Sequence, residues 1–385
     1  MSDLPFTPEH LAFREMARRF VASEVAPHHR EWEAAGQVPR ELWRRAGSLG
    51  LLLPSAPEEY GGAGGDFLYS AILTEELTRV GATGPLFFLH SDIVAPYILH
   101  YGSDAQRRKW LPRMASGETV TAIAMTEPGA GSDLAGIRTS ARRDGEGWVI
   151  SGQKIFISNG QIADLFIIVA KTDAAAGAKG VSLFLVEPDR KGFARGRNLE
   201  KMGLHAQDTS ELFLDEVRVP EENLLGEEAK GFGYLMRQLP QERLLVAIGA
   251  VVAAEAAIEW TLDHLQGRNA FGKPLSALQT IRHRMAELHT ETTVGRVFLD
   301  WCIARHLEGA LDTATASMAK YWLTELQFKV LDNCVQMFGG YGYMREYPIA
   351  RAWADARVQR IYGGTTEIMK EIISRRMFEG PSSRK

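Results

Sequence analysis

The period of the hydrophobic residues changes twice along this 385-residue chain, and each change limits the folds that the chain can adopt. In the first third, Phe13, Met16 and Phe20 recur at three- and four-residue spacing, which predicts an amphipathic helix. The middle instead carries short runs of β-branched and aromatic residues, such as 165–170, that predict strands. From Gly231 onward the helical period returns. The sequence therefore predicts an α+β fold in which a sheet packs between two helical parts.

The same patterns divide the chain into three expected domains, 1–119, 120–228 and 229–385. Further expected helices share an apolar stripe and few helix breakers: 40–50, 67–80, 85–101, 104–116, 243–266, 277–307, 312–338 and 365–377. We expect Pro240 to interrupt the helical pattern that begins at Gly231 and to bend the element there, because proline removes a backbone hydrogen bond.

Composition excludes several classes of protein. Apolar residues make up 45% and charged residues 24% of the chain, as in a globular protein, and the net charge of −4 argues against a nucleic-acid partner. Cys302 and Cys334 lie in helical apolar patterns, which indicates neither a disulfide framework nor a zinc site, and we expect no metal. We also expect no apolar run long enough to cross a bilayer and no targeting segment, so the sequence predicts a bacterial cytoplasmic protein without membrane insertion.

The segment Ile123-Ala-Met-Thr-Glu-Pro-Gly-Ala-Gly-Ser-Asp133 leads out of a β-type run into a tight turn. Pro128 and the glycines make the turn, while Thr126 and Ser132 supply short hydrogen-bonding side chains beside exposed backbone. Such a loop suits a flat ligand with polar edges, although one glycine-rich turn alone is more typical of an ordinary β-turn. A second pair of motifs, Gln336-Met-Phe-Gly-Gly-Tyr-Gly-Tyr343 and Ile361-Tyr-Gly-Gly-Thr-Thr-Glu-Ile368, favours the ligand interpretation.

These motifs resemble those of the acyl-CoA dehydrogenase family, and the likeness extends from about residue 5 to residue 377. The surroundings of Glu242 and Gly363 are most similar to the long-chain subfamily. The resemblance implies an N-terminal helical domain, a β-barrel-like middle domain and a C-terminal four-helix bundle. It also implies FAD as cofactor. The sequence contains no G-x-G-x-x-G motif, so a Rossmann-type nucleotide site is not indicated.

By resemblance, the FAD contacts are spread over all the motifs. They are Ile123, Met125, Thr126, Gly131, Ser132, Phe156, Ile157, Ser158, Arg268, Phe271, Gln279, Gln336, Phe338, Gly339, Gly340, Thr365 and Glu367. Arg268 and Gln336 would serve a flavin bound by a neighbouring subunit, which implies a homotetramer built as a dimer of dimers. From the residues alone, Phe156 is more typical of a β-core and Arg268 of a solvated helix end, while Thr365 is typical of an N-cap, which can also bind an anion.

The reaction implied is the α,β-dehydrogenation of an acyl-CoA, which requires a carboxylate base in a dry pocket. Many family members carry that base directly after the tyrosine of the Ile-Tyr-x-Gly-Thr motif, where this chain has Gly363. Glu242 occupies the position that long-chain and isovaleryl-type members use. We therefore expect Glu242 to be the base and the Gly363 amide to polarise the thioester carbonyl. The alternative for Glu242 is a first-turn carboxylate that interacts with the helix dipole.

The expected substrate contacts are Ser132, Gly233, Pro240, Arg243, Gly363 and Gly364. A long-chain fatty acyl-CoA is the expected substrate and electron-transfer flavoprotein the expected electron acceptor. The alternatives are a short branched acyl-CoA of the isovaleryl type, an acyl group on a carrier protein, oxygen as acceptor, or a non-catalytic acyl-CoA- or flavin-binding protein.

Overall fold

A computed structural model describes residues 4–145 and 147–378. Residues 1–3 and 379–385, at the ends of the first and third expected domains, lie outside the described residues. The expected α+β class is confirmed, with helices before and after a single large sheet.

The first helical part contains six α-helices in the described residues: α1 (Pro8–Phe20), α2 (His29–Ala35), α3 (Arg40–Ser48), α4 (Phe67–Arg79), α5 (Ala95–Tyr101) and α6 (Asp104–Ala115). Helix α1 begins as its sequence predicts, because the Thr7 side chain accepts from the His10 amide and Pro8 takes the first turn. The expected helix over 85–101 is instead a π-helical segment, Leu89–Val94, that continues into α5.

The middle part is an eight-stranded sheet, whose strands are β1 (Thr121–Ala124), β2 (Ser140–Asp144), β3 (Gly147–Ser158), β4 (Leu165–Lys171), β5 (Val181–Val186), β6 (Phe193–Asn198), β7 (Thr209–Pro220) and β8 (Leu224–Leu225). The strand order is β6-β7-β3-β2-β4-β5-β8, and β1 pairs in parallel with β4. Strands β4 and β5 are buried along almost their whole length, which explains their continuous apolar runs. The β3–β7 register shifts between Lys154 and Ile157, and this irregularity turns Phe156 out of the sheet.

The last part contains the helices α7 (Gly231–Gly267), α8 (Gln279–Leu307), α9 (Thr313–Phe338), α10 (Pro348–Ala356) and α11 (Thr366–Phe378), with the short strands β9 (Asn269–Ala270) and β10 (Lys273–Pro274) between α7 and α8. Helix α10 was not predicted, because nine residues give too short a periodic pattern. The helix does not end at Pro240, since α7 continues through it, and the bend expected there stays a prediction. Packing on both sides of α7 outweighs the loss of one backbone hydrogen bond.

Helix α7 also corrects the expectation about apolar length. By length and hydropathy it could cross a membrane, but 72% of its most apolar window is buried inside the fold. Leu244, Leu245, Ile248 and Val251 are at most 1% exposed, and each contributes about 1.5–3 kcal/mol by burial. The helix packs against α4, α8, α9 and strand β5, so it contacts all three parts of the chain.

Candidate active site

A cavity of about 410 Å³ lies where the three parts meet. One wall comes from the loop after β1 and the end of β3, a second from α7, and a third from the loop before α11. The π-helical segment adds Leu89 and Ile93. Residues distant in the sequence therefore face one another across a single space, of a size typical for small-molecule sites.

Glu242 is the acidic side chain of the α7 wall, and it is only 7% exposed. Its Oε1 accepts a hydrogen bond of 2.9 Å from the Tyr97 hydroxyl. Burial raises the pKa of the carboxyl to about 7, although the hydrogen bond from Tyr97 and the charge of Arg243 oppose this rise. A carboxylate with such a pKa accepts a proton effectively near neutral pH. The first-turn alternative is wrong, since α7 begins at Gly231, eleven residues earlier.

Gly363 and Gly364 form the third wall and adopt positive φ angles of 63° and 97°. Two buried cations hold this turn by its carbonyl oxygens. Arg243 Nε donates to Gly363 O at 3.4 Å, and Lys320 Nζ donates to Gly364 O at 2.7 Å. Burial lowers the pKa of Lys320 to about 8. A Cβ at Gly363 would meet nothing within 4 Å, so the cavity is open in front of this residue.

The β wall exposes an aromatic ring and two hydroxyl groups. Phe156 is 64% exposed with a positive φ of 60°, a strained conformation of the kind found at binding sites. Within the described residues the Thr126 and Ser158 hydroxyls have no protein hydrogen-bond partner, and both residues line the cavity. A Cβ at Gly131 would likewise meet nothing within 4 Å. The wall therefore fits a flat aromatic ligand with hydrogen-bonding edges, such as a flavin ring.

A buried ion pair supports that wall from behind. Lys154 Nζ donates to Glu127 Oε1 at 2.8 Å and to Met125 O at 3.0 Å. The Glu127 carboxylate also accepts from the amides of Arg138 and Thr139. Burial opposes ionisation of Glu127, but Lys154 and these donors outweigh it and lower its pKa. The pair fixes the backbone on both sides of Thr126.

The structure brings twelve of the predicted site residues together in this cavity. They are Ile123, Met125, Thr126, Gly131, Ser132, Phe156, Ile157, Ser158, Glu242, Arg243, Gly363 and Gly364. Gly233 and Pro240 do not line it: Gly233 is exposed on α7, while Phe232, Met236 and Leu239 provide the apolar lining there.

The remaining predicted cofactor residues do not line the cavity: Arg268, Phe271, Gln279, Gln336, Phe338, Gly339, Gly340, Thr365 and Glu367. Several gather near the C-terminal end of α7. The Arg268 guanidinium lies 5.5 Å from the Tyr341 ring centroid, and Phe338 stacks on His264 at 4.1 Å. Phe271 is 91% exposed. Thr365 accepts from the Ile368 amide at the start of α11, as an N-cap does.

Sequence reasoning missed Tyr97, Lys154 and Lys320, which hold the site residues in place. All three are fully buried. A lysine within an apolar pattern, such as Lys320 in α9, is a signal that could have found two of them. Nothing near Tyr97 in the sequence distinguishes it from a core aromatic.

Three family descriptions match the chain in succession. Residues 7–118 match "Acyl-CoA dehydrogenase, N-terminal domain", residues 122–217 the middle domain and residues 229–378 the C-terminal domain.

The long-chain specific acyl-CoA dehydrogenase of Sus scrofa mitochondria is 55% identical over 96% of this chain and 86% of its own length. Isovaleryl-CoA dehydrogenase of Oryza sativa subsp. japonica mitochondria is 35% identical over 98% of this chain and 93% of its own.

The solved structure of an acyl-CoA dehydrogenase from Geobacillus kaustophilus superposes with a TM-score of 0.96 at 49% identity, covering 98% of this chain and 100% of that one. With the cavity, the buried carboxyl and the fold in agreement, the chain belongs to the acyl-CoA dehydrogenase family.

Proposed function

We propose that this protein oxidises long-chain fatty acyl-CoA thioesters to trans-2-enoyl-CoA, as in fatty acid β-oxidation. The observation that carries the proposal is the Glu242 carboxyl, buried in the wall of a cavity that Phe156 also lines with an exposed ring. Burial makes this carboxylate basic enough to take the α-proton of a thioester near neutral pH.

The other groups of the cavity have separate tasks in this proposal. The Gly363 amide polarises the thioester carbonyl and so acidifies the α-carbon, because backbone donors stabilise developing negative charge in a dry site. Arg243 and Lys320 hold the carbonyl oxygens of Gly363 and Gly364, which keeps the turn in one conformation. Arg243 and Ser132 would contact the CoA portion of the substrate.

Bound FAD would supply the acceptor for the hydride that leaves the β-carbon. The cavity residues that would hold it are Ile123, Met125, Thr126, Gly131, Ser132, Phe156, Ile157 and Ser158. The Thr126 and Ser158 hydroxyls would bond its polar edge, and the exposed Phe156 would lie against its ring.

The second group of cofactor residues supports a homotetramer. Arg268, Gln336 and Phe338 do not line this cavity, so we propose that they contact FAD of a neighbouring subunit. Helix α8 also exposes Val294, Val297 and Trp301 at 54%, 64% and 50%. Their spacing places them on one helix face, and an exposed apolar face of this kind is typical of subunit contacts.

Long-chain specificity is supported by two observations. Identity to the long-chain enzyme exceeds identity to the isovaleryl-type enzyme, 55% against 35%. The acyl side of the cavity is apolar, with Leu86, Phe88, Leu89, Ile93, Phe232, Met236 and Leu239. We further propose electron-transfer flavoprotein as electron acceptor and a bacterial cytoplasmic location. The buried free thiols of Cys302 and Cys334 are consistent with such a reducing compartment.

Anaerobic flavin bleaching by a series of acyl-CoAs tests the proposal. We expect the yellow holoenzyme to lose its colour fastest with long straight chains and at least about tenfold more slowly with isovaleryl-CoA, since each missing methylene weakens apolar contact. Faster bleaching by isovaleryl-CoA would favour the branched-chain alternative. Faster bleaching by an acyl group on a carrier protein would favour the carrier-linked alternative. No bleaching by any thioester would identify a binding protein without this activity.

The pH dependence of the same reaction follows from Glu242. Only its ionised form accepts a proton, and its pKa is about 7. The rate of flavin reduction should therefore rise with pH through a midpoint near 7 and level off above it. Stopped-flow bleaching from about pH 5 to about pH 9, roughly two units either side of the midpoint, measures this rise. A flat profile across that range would contradict the role of Glu242.

A further inference from the structure

Helices α5 and α7 are joined by a ladder of side chains that ends at the active-site carboxylate. On α7, Tyr234, Gln238 and Glu242 recur every four residues and so share one face. Tyr234 stacks on Tyr101 of α5 with 4.0 Å between ring centroids and 15° between planes. Gln238 Nε2 lies 3.2 Å from the Tyr101 hydroxyl. The third contact is the hydrogen bond between Tyr97 and Glu242.

Tyr97 reaches Glu242 from behind the cavity wall. Its side chain is 0% exposed and it is not part of the cavity lining. It engages Oε1 alone, and within the described residues no hydrogen bond reaches the other oxygen, Oε2. One oxygen is thus anchored, which leaves the other for a proton from the substrate.

The hydrogen bond has a fixed direction. Burial and the nearby Glu242 raise the pKa of Tyr97 well above its usual value, so the phenol keeps its proton and donates it. A donor to a carboxylate stabilises the ionised form, and burial stabilises the neutral form. The Tyr97 hydrogen bond therefore opposes the burial that makes Glu242 basic.

We propose that Tyr97 is a positioning residue for the general base: it anchors one carboxylate oxygen and favours the ionised form of Glu242. This inference rests on the proposed function, because it assigns Tyr97 a role through Glu242.

Other titratable groups lie on the elements packed around Glu242. They are Asp92 on the π-helical segment, His100 and Tyr101 on α5, Arg243 on α7, Lys320 on α9 and Tyr362 before Gly363. Of these, Arg243 also lowers the Glu242 pKa, and it remains in place when Tyr97 is changed. Burial also raises the pKa of Asp92 to about 7, against the hydrogen bond from Ser70, but no hydrogen bond in the described residues joins Asp92 to Tyr97. A change at Tyr97 should therefore alter the pH midpoint of the bleaching rate through its effect on Glu242.

The test compares Tyr97→Phe with Tyr101→Phe in the full-length, flavin-loaded protein. Both changes remove one phenolic hydroxyl from α5, but only Tyr97 bonds to Glu242. We expect Tyr97→Phe to move the midpoint of the bleaching rate upward by about one pH unit, as loss of a charge-assisted hydrogen bond requires. At pH 6 this makes the variant about tenfold slower. Tyr101→Phe should leave the midpoint unchanged.

An unmoved midpoint in Tyr97→Phe, or an equal shift in Tyr101→Phe, would overturn the inference. If Tyr97→Phe does not retain flavin, fluorotyrosine incorporated at position 97 alone keeps the shape and strengthens the donor. The midpoint should then fall, and no change would again overturn the inference. Failure of the proposed function looks different, because the unaltered protein would then not be bleached at all.

Discussion

Glu242→Gln should retain FAD and lose about 1,000-fold in the rate of flavin reduction by acyl-CoA, the usual contribution of a general base. Glutamine has nearly the shape of glutamate but accepts no proton from the substrate, so binding should change little. Stopped-flow bleaching measures the rate and the flavin absorbance measures retention of the cofactor. Near-normal bleaching would refute the assignment of Glu242 as the base.

A matched control is Glu259→Gln, which makes the same change on the exposed side of the same helix and should leave the bleaching rate unchanged.

The Glu242→Gln variant should also be more stable than the unaltered protein above neutral pH. The folded-state pKa of Glu242, about 7, lies above its ordinary value of 4.5. Between these two values the folded state binds a proton that the unfolded state releases, so stability falls as pH rises through about 7. Glutamine does not titrate and avoids this loss, so urea unfolding at pH 8 should give a gain of about 2–3 kcal/mol. Lower stability of the variant at that pH would show that the carboxyl is not destabilised by burial.

Lys154→Met should lower the free energy of unfolding by about 3 kcal/mol, because it leaves the buried Glu127 carboxylate without its cation. Two backbone amides still donate to Glu127, which keeps the loss below that of a wholly unpaired charge. The Met125 carbonyl also loses its donor, so FAD binding should weaken. Urea unfolding and flavin titration measure the two effects. If Lys154→Met is as stable as the unaltered protein, Lys154 does not stabilise the fold by neutralising Glu127.

The double variant Lys154→Met with Glu127→Gln is the control for that experiment. It removes both charges, and replacement of a whole buried pair is often nearly neutral. Most of the lost stability should therefore return, whereas additive losses would show that Lys154 acts through packing alone.

The sequence predicted the two helical parts and the sheet because their apolar periods differ. The resemblance of its motifs to the acyl-CoA dehydrogenase family also predicted twelve residues that share the cavity. It did not predict Tyr97, whose partner lies 145 residues away. Gly233 and Pro240 were also expected at the substrate, from comparison with relatives and from a bend at the proline, but neither residue lines the cavity.

The two sides of the cavity come from separate stretches of the chain, and this has a consequence for how its specificity can diverge. Phe232, Met236 and Leu239 belong to one helix, whereas Thr126, Phe156 and Ser158 belong to the sheet and its loop. Substitutions on the helix can lengthen, shorten or widen the space for a fatty tail without altering the redox-cofactor side. Substrate specificity can thus change during evolution while the flavin chemistry stays the same.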